Sequence, residues 1–265
     1  MSGRWSNWLA RFGAPIAMGC LILAGWQALV AAEHIPPYIL PGPVRVAEAL
    51  WTDGLSLLGS LWVTLKITLA ALAAAVVLGG ALAILFAQSR ILERCLFPYA
   101  VILQVTPVVS IAPLIIIWVN NTFMSLLVCA WIVAFFPIVA NTTLGLNSAD
   151  RNLLALFRLY GASRWQVLSL LRMPSSLPLF LAGVRISGGL ALIGAVVAEF
   201  VAGTGGTETG LASRILEAGY RLEIPRLFAA LLLLSLTGIA IFAVLSWLSR
   251  RLLANWHESA LPQEE

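Results

Sequence analysis

Charge is what this 265-residue chain has least of: Asp, Glu, Lys and Arg make up 11% of it, against 60% apolar residues. Mean hydropathy is +0.95. A soluble domain carries about 25% charged residues, so that class is excluded. Cysteine is equally scarce. Cys20, Cys95 and Cys129 fall in or beside apolar runs, with no pair at metal-ligand spacing, so neither a disulfide framework nor a zinc site is implied. The two histidines, His34 and His257, lie outside those runs, and no metal or nucleophile constellation surrounds them. An intramembrane enzyme is therefore a poor reading. No Gly-x-x-x-x-Gly-Lys-Ser/Thr loop occurs, so the chain has nothing with which to hydrolyse ATP itself. No internal repeat or low-complexity tract divides it, and residues 1–265 read as one membrane domain.

What is present is a series of long apolar runs. A helix crossing a hydrocarbon core of about 30 Å needs roughly 20 residues at about 1.5 Å each. On that measure the spans fall at about 13–32, 62–88, 96–119, 123–146, 179–202 and 227–249, which predicts an all-α protein of six membrane helices. The run from Cys95 to Ala149 is too long for one span, and Asn120-Asn121-Thr122 supplies the polar break between two. The first run is longer than the 7–15 residues of a signal-peptide core and lacks a small-x-small cleavage site near Ala31-Ala32, so it is expected to stay as a span. Between the first two spans, residues 35–43 form a proline-stiffened approach, and residues 44–58 have the mixed pattern of a helix lying along the membrane surface. Residues 203–225 begin with Gly203-Thr204-Gly205-Gly206 and continue as a short amphipathic helix over 211–220.

The basic residues orient these spans. With the N-terminus inside, the cytoplasmic segments hold Arg4, Arg11, Arg90, Arg94, Arg151, Arg158, Arg164, Arg172, Arg250 and Arg251. The other side holds Arg45, Arg214, Arg221 and Arg226, while Lys66 and Arg185 lie at or inside span ends. Ten against four places both termini in the cytoplasm. The net charge of +4 is thus a topology signal, and arginines scattered over membrane flanks make no nucleic-acid groove.

One cytoplasmic segment, 147–178, is more than a connection. Leu153, Leu156, Phe157 and Tyr160 fall at i, i+3, i+4 and i+7, on one helical face. Gly161 then accepts the left-handed geometry with which helices commonly end. Ser163 and Gln166 fit a capping box for a second helix. That helix is expected to carry Trp165, Leu168 and Leu171 on one side and to stop at Pro174. The pattern suits a surface built for docking, although an amphipathic helix could equally lie on the membrane.

Ionisable and polar residues inside the spans mark candidate pathway positions. Arg185 and Glu199 are fourteen positions apart on roughly one face, about 21 Å along the helix, and so cannot pair. Arg185 could stand near a cytoplasmic gate and Glu199 near the outer mouth; alternatively each snorkels or ties helix ends together. Gln104, Thr106, Ser110, Asn141, Thr142 and Thr143 are neutral candidates, although such residues more often stitch helices. Pro107 and Pro113 would unwind or kink the third span.

With these residues in place, the chain resembles the permease subunits of binding-protein-dependent ABC importers, in the nitrate, sulfonate, taurine and pyrimidine-precursor group with the type I importer fold. The family's cytoplasmic signature is a Glu-Ala-Ala triplet, a glycine four residues later and an apolar-x-Leu-Pro ending. Here the glycine is Gly161 and the ending is Leu171-Arg172-Met173-Pro174. The triplet reads Ala155-Leu156-Phe157; the glutamate is absent, which removes any contact specific to it but not the helix-turn-helix shape. Ala112-Pro113-Leu114, Phe136-Pro137, Gly183-Val184-Arg185 and Ala198-Glu199 also match, and the likeness extends from Ile35 to Trp256.

The resemblance implies a subunit with no cofactor of its own, working with ATPase partners that hold ATP and Mg. It further implies a periplasmic or lipid-anchored binding protein, a second permease copy and residence in a bacterial inner membrane. The coupling residues it suggests are Leu153, Leu156, Phe157 and Tyr160 as anchors, Arg158 and Arg164 at the polar rim, and Gly161 and Ser163 for the turn. A small organic anion or heterocycle is the substrate class it suggests. A stand-alone secondary transporter would show paired intramembrane carboxylates, where this chain has only Glu199. A non-transporting scaffold would need no ordered cytoplasmic loop.

Overall fold

The structure is a computed structural model and describes residues 13–203 and 209–254. Arg4, Arg11, Thr204, Gly205, Gly206, Trp256 and His257 lie outside the described residues. Helices and their connections account for what is described: α1 (Ala14–Ala32), α2 (Pro43–Gln88), α3 (Arg90–Val105), α4 (Val108–Trp118), α5 (Thr122–Asn147), α6 (Arg151–Leu159), α7 (Arg164–Val167), α8 (Met173–Ala202), α9 (Leu211–Tyr220) and α10 (Ile224–Leu253). Five segments are long and apolar enough to cross a membrane, and a sixth crossing is made if the bent pair α3–α4 is counted as one.

The core is the packing of α5, α8 and α2, with α8 running antiparallel to the other two and α2 and α5 parallel. Glycines let the backbones approach, as small residues do where lipid offers no hydrophobic drive for association. A Cβ on Gly194 would lie 2.9 Å from Ala130 Cα, and one on Gly145 would lie 2.9 Å from Ser176 Cβ. Buried Ile67, Ala71, Cys129, Ala130, Ala195 and Ala198 fill the space between these helices. By contrast α1 buries no residue and stands at the periphery, where Trp26 meets Phe228 of α10 at 5.9 Å.

Two sequence expectations are corrected. Residues 44–58 are not a separate surface helix: Pro43 at the first turn starts one helix of 46 residues that continues to Gln88. Nothing between those ends stops it, since the stretch contains no further proline and its two early glycines, Gly54 and Gly59, meet open space. The third span breaks at the first of the two prolines expected to unwind or kink it. Thr106, extended at ψ 122° as residues before proline tend to be, and Pro107 break it into α3 and α4, bent by 99°. Pro113, expected to add a kink, sits inside α4 without ending it.

The helix after the glycine turn does not stop at Pro174 either. It passes through a π turn, Leu168–Arg172, and joins α8 without interruption. The Met173 amide closes that turn on the Leu168 carbonyl, so the wider turn is complete just before the residue that has no N–H to give. The π turn also shifts the helical phase: Leu168 and Leu171 are buried, but Trp165 faces outward rather than sharing their side.

Candidate functional site: the cytoplasmic turn and the outer seal

Two polar constructions occupy opposite ends of the bundle, the ends that the positive-inside expectation assigns to the cytoplasm and to the outside. At the cytoplasmic end, Asp150 caps α6 by accepting from the Asn152 amide at 2.6 Å. The helix ends in a Schellman motif. Gly161, at φ 69°, donates to the Arg158 carbonyl at 3.0 Å, and Ala162 donates to the Phe157 carbonyl at 2.9 Å. The expected capping box then forms: Ser163 N donates to Gln166 Oε1 at 2.7 Å, and Gln166 N to Ser163 Oγ at 3.3 Å.

This turn holds a ridge of apolar side chains away from the bundle. Leu153 and Leu156 are exposed, Leu159 is 85% exposed, Tyr160 83% and Trp165 71%. Phe157 is half-buried beside Gly161 in a depression of about 420 Å³ closed by Leu170 and Gln166. Periodicity found Leu153, Leu156 and Tyr160 but missed Leu159 and Trp165. Arg158 and Arg164 are exposed beside the ridge and also line a cavity of about 260 Å³ with Ala87, Gln88 and Arg172. Arg172, read from sequence only as a topology marker, donates from its guanidinium to the Ala87 carbonyl at 2.9 Å and so ties the turn to the end of α2.

At the outer end, Glu199 is fully buried. Thr64 Oγ1 of α2 donates to its Oε1 at 2.8 Å, and the Ala212 amide donates to its Oε2 at 2.9 Å. Thr64 Oγ1 in turn accepts from the Leu211 amide at 2.8 Å. The first two amides of α9, which no helical carbonyl can satisfy, are thus held by a carboxyl from α8 and a hydroxyl from α2. Gly210 is required here, because a Cβ at that position would overlap the Glu199 carboxyl. Glu199 ties helix ends together instead of lining open space. Beyond it, Arg214 Nε donates to Ser60 Oγ at 3.1 Å, and Glu217 pairs with Arg214 at 2.8 Å and Arg221 at 2.9 Å. The Arg214 hydrogen bond, helped by the nearby arginine charges, holds the Glu217 carboxyl below its usual value.

The neutral candidates are not gathered into one cavity. Gln104 and Ser110 are exposed on the bent pair, and Thr106 donates to the Ile102 carbonyl at 2.7 Å. Asn141 donates to the Pro137 carbonyl at 2.8 Å. Thr142 and Thr143 are buried with their hydroxyls unpartnered, and Thr142 lines an apolar cavity of about 400 Å³ between α2, α5 and α8. Arg185 is half-buried and has no hydrogen-bond or ion-pair partner among the described residues.

A bundle of apolar crossings with an ordered, exposed turn at one end is a polytopic membrane protein by class. The chain belongs to the family described as the binding-protein-dependent transport system inner membrane component, which matches residues 75–254. It is 38% identical to the riboflavin transport system permease protein RibX of Chloroflexus aurantiacus, over 93% of this chain and 91% of that one. It is 36% identical to the formylaminopyrimidine transport permease protein ThiX of Halalkalibacterium halodurans, over 90% and 94%. A crystal structure of an amino acid ABC transporter with histidines shares the fold, with a TM-score of 0.62 and 17% identity over 76% of this chain and 96% of that one. The chain is therefore a membrane permease subunit of an ABC importer and not an enzyme; ATP hydrolysis belongs to a partner ATPase, and a substrate-binding protein completes such systems.

Proposed function

We propose that the ridge of Leu153, Leu156, Leu159, Tyr160 and Trp165, with Phe157 and Gly161 at its side, is the surface that seats in the ATPase. The observation carrying this is its exposure outside the spans on a turn fixed by two capping motifs. An apolar helix laid into a groove is a familiar mode of recognition. ATP and Mg would be held by that partner, and nucleotide-driven closure would move the ridge and, through the helices it is tied to, the bundle.

The permease works with a second, identical copy, as its resemblance to paired importer permeases implies. Gln104, Ser110 and Arg185 are exposed or half-buried polar groups in or beside the membrane, and they are the candidates for a path between the copies; Asn141 and Thr142 sit deeper. The positive-inside bias supports cytoplasmic termini. The substrate is a small organic anion or heterocycle, in keeping with relatives named for riboflavin, formylaminopyrimidine and aliphatic sulfonates.

The test is co-purification with the ATPase expressed from the same operon. Wild type should co-elute with it, and both L159D/W165D and G161P should lose it while remaining inserted in the membrane. Full co-elution of L159D/W165D would overturn the docking assignment.

A further inference from the structure

The cytoplasmic end of the bundle also carries an open cleft of about 940 Å³. Arg90 and Arg94 from the first turns of α3, Arg151 and Arg158 from α6, and Arg172 all line it, with Glu93 the one acidic side chain among them. None of these arginines forms an ion pair among the described residues. Arg172 spends one donor on the Ala87 carbonyl, while its Nε is buried without a partner. Five guanidinium groups facing one carboxylate across a common space repel one another, and an unpartnered buried donor has a further cost. Such a lining suits an anion.

The wall opposite the charges narrows the choice of anion. Phe86 and Phe97, packed edge-on at 6.4 Å, line the cleft where α2 and α3 enter the apolar bundle. Guanidinium forks match phosphate oxygens two at a time, and basic pockets between helices at the cytoplasmic boundary suit phosphorylated headgroups. We propose that this cleft binds a phosphate group at the cytoplasmic membrane boundary. The headgroup of an anionic phospholipid could carry it there, or a phosphate-bearing solute could. The orientation of the chain decides only which leaflet would supply the lipid, and the site does not depend on ATPase docking.

The experiment uses the purified full-length permease without its partners. Native mass spectrometry compares retention of phosphatidylglycerol with phosphatidylcholine, and thermal unfolding is followed with inorganic phosphate against chloride at equal ionic strength. The variants are R90Q/R94Q and, separately, R151Q, all at exposed positions; R45Q, in the Glu48 ion pair at the other end of the bundle, is the control. Phosphatidylglycerol should be preferred, and the preference should weaken about fivefold for each arginine removed but not in R45Q. A midpoint raised by phosphate without lipid preference, and lost in the same variants, would support the site with a soluble occupant. Neither response, or a response unchanged in both arginine variants, would overturn it.

Discussion

At the scale of single residues, the chemistry concentrates in the outer seal. Glu199 satisfies one orphan amide of α9 and holds the hydroxyl that satisfies another. Glu199→Ala should therefore lower the unfolding midpoint by more than Glu199→Gln, which keeps one carbonyl for Ala212; loss of a buried hydrogen-bond partner costs about 1–3 kcal/mol. Equal midpoints for the two variants would show that the network does not hold α9. Gly210→Ala should destabilise because its methyl overlaps the carboxyl, whereas Gly54→Ala, in open space, should be neutral or stabilising.

Glu217 gives the same region a pH dependence. Its carboxyl is lowered from the usual 4.5 on folding, so its contribution is fully present above that value and is lost as pH falls through the depressed folded value. Protection factors of the α9 amides, which already discount the slower intrinsic exchange in acid, should fall as pH drops below 4.5, and Glu217→Gln should flatten that response. These roles were only partly visible in the sequence. Glu199 was conspicuous as an intramembrane carboxylate, but its partners Thr64 and Ala212 lie on other helices, at chain positions that no spacing connects.

Among the elements, the cytoplasmic turn was the most legible. Its periodic leucines, Gly161, and the Ser163–Gln166 pair are local signals, and local geometry decides caps and turns. Ser163→Ala should destabilise the turn by about 1 kcal/mol and reduce ATPase stimulation without removing the permease from the membrane, which limited proteolysis at the turn and coupled ATPase assays would register. The facing of Trp165 and the cavity beside Arg158 were not legible. Trp165 depends on a π turn that no residue pattern announces, and the cavity depends on which side of α6 the bundle approaches. Hydropathy separated residues 44–58 from the second span because polarity changes there, but polarity does not end a helix; caps, glycines in left-handed geometry and prolines do.

For the whole molecule, composition alone identified a polytopic helical protein, because 60% apolar residues arranged in long runs leave few alternatives. The interior arrangement was less accessible: small residues decide which helices approach closely, and alanine and glycine are abundant on several faces. The paired state predicts that a single cysteine replacing Ser110, on a background with Cys20, Cys95 and Cys129 changed to serine, will cross-link to dimers in membranes. Only monomer under those conditions would argue against a path between copies lined by α4.

The unbroken course of α2 has a mechanical consequence. The same helix offers the Ala87 carbonyl to Arg172 at the cytoplasmic turn and Thr64 to Glu199 at the outer seal. These two attachments lie about 35 Å apart on one hydrogen-bonded rod with no intervening break. An axial push or twist delivered at one end therefore arrives at the other without crossing a joint, and the outer latch and the cytoplasmic turn behave as two handles of one shaft.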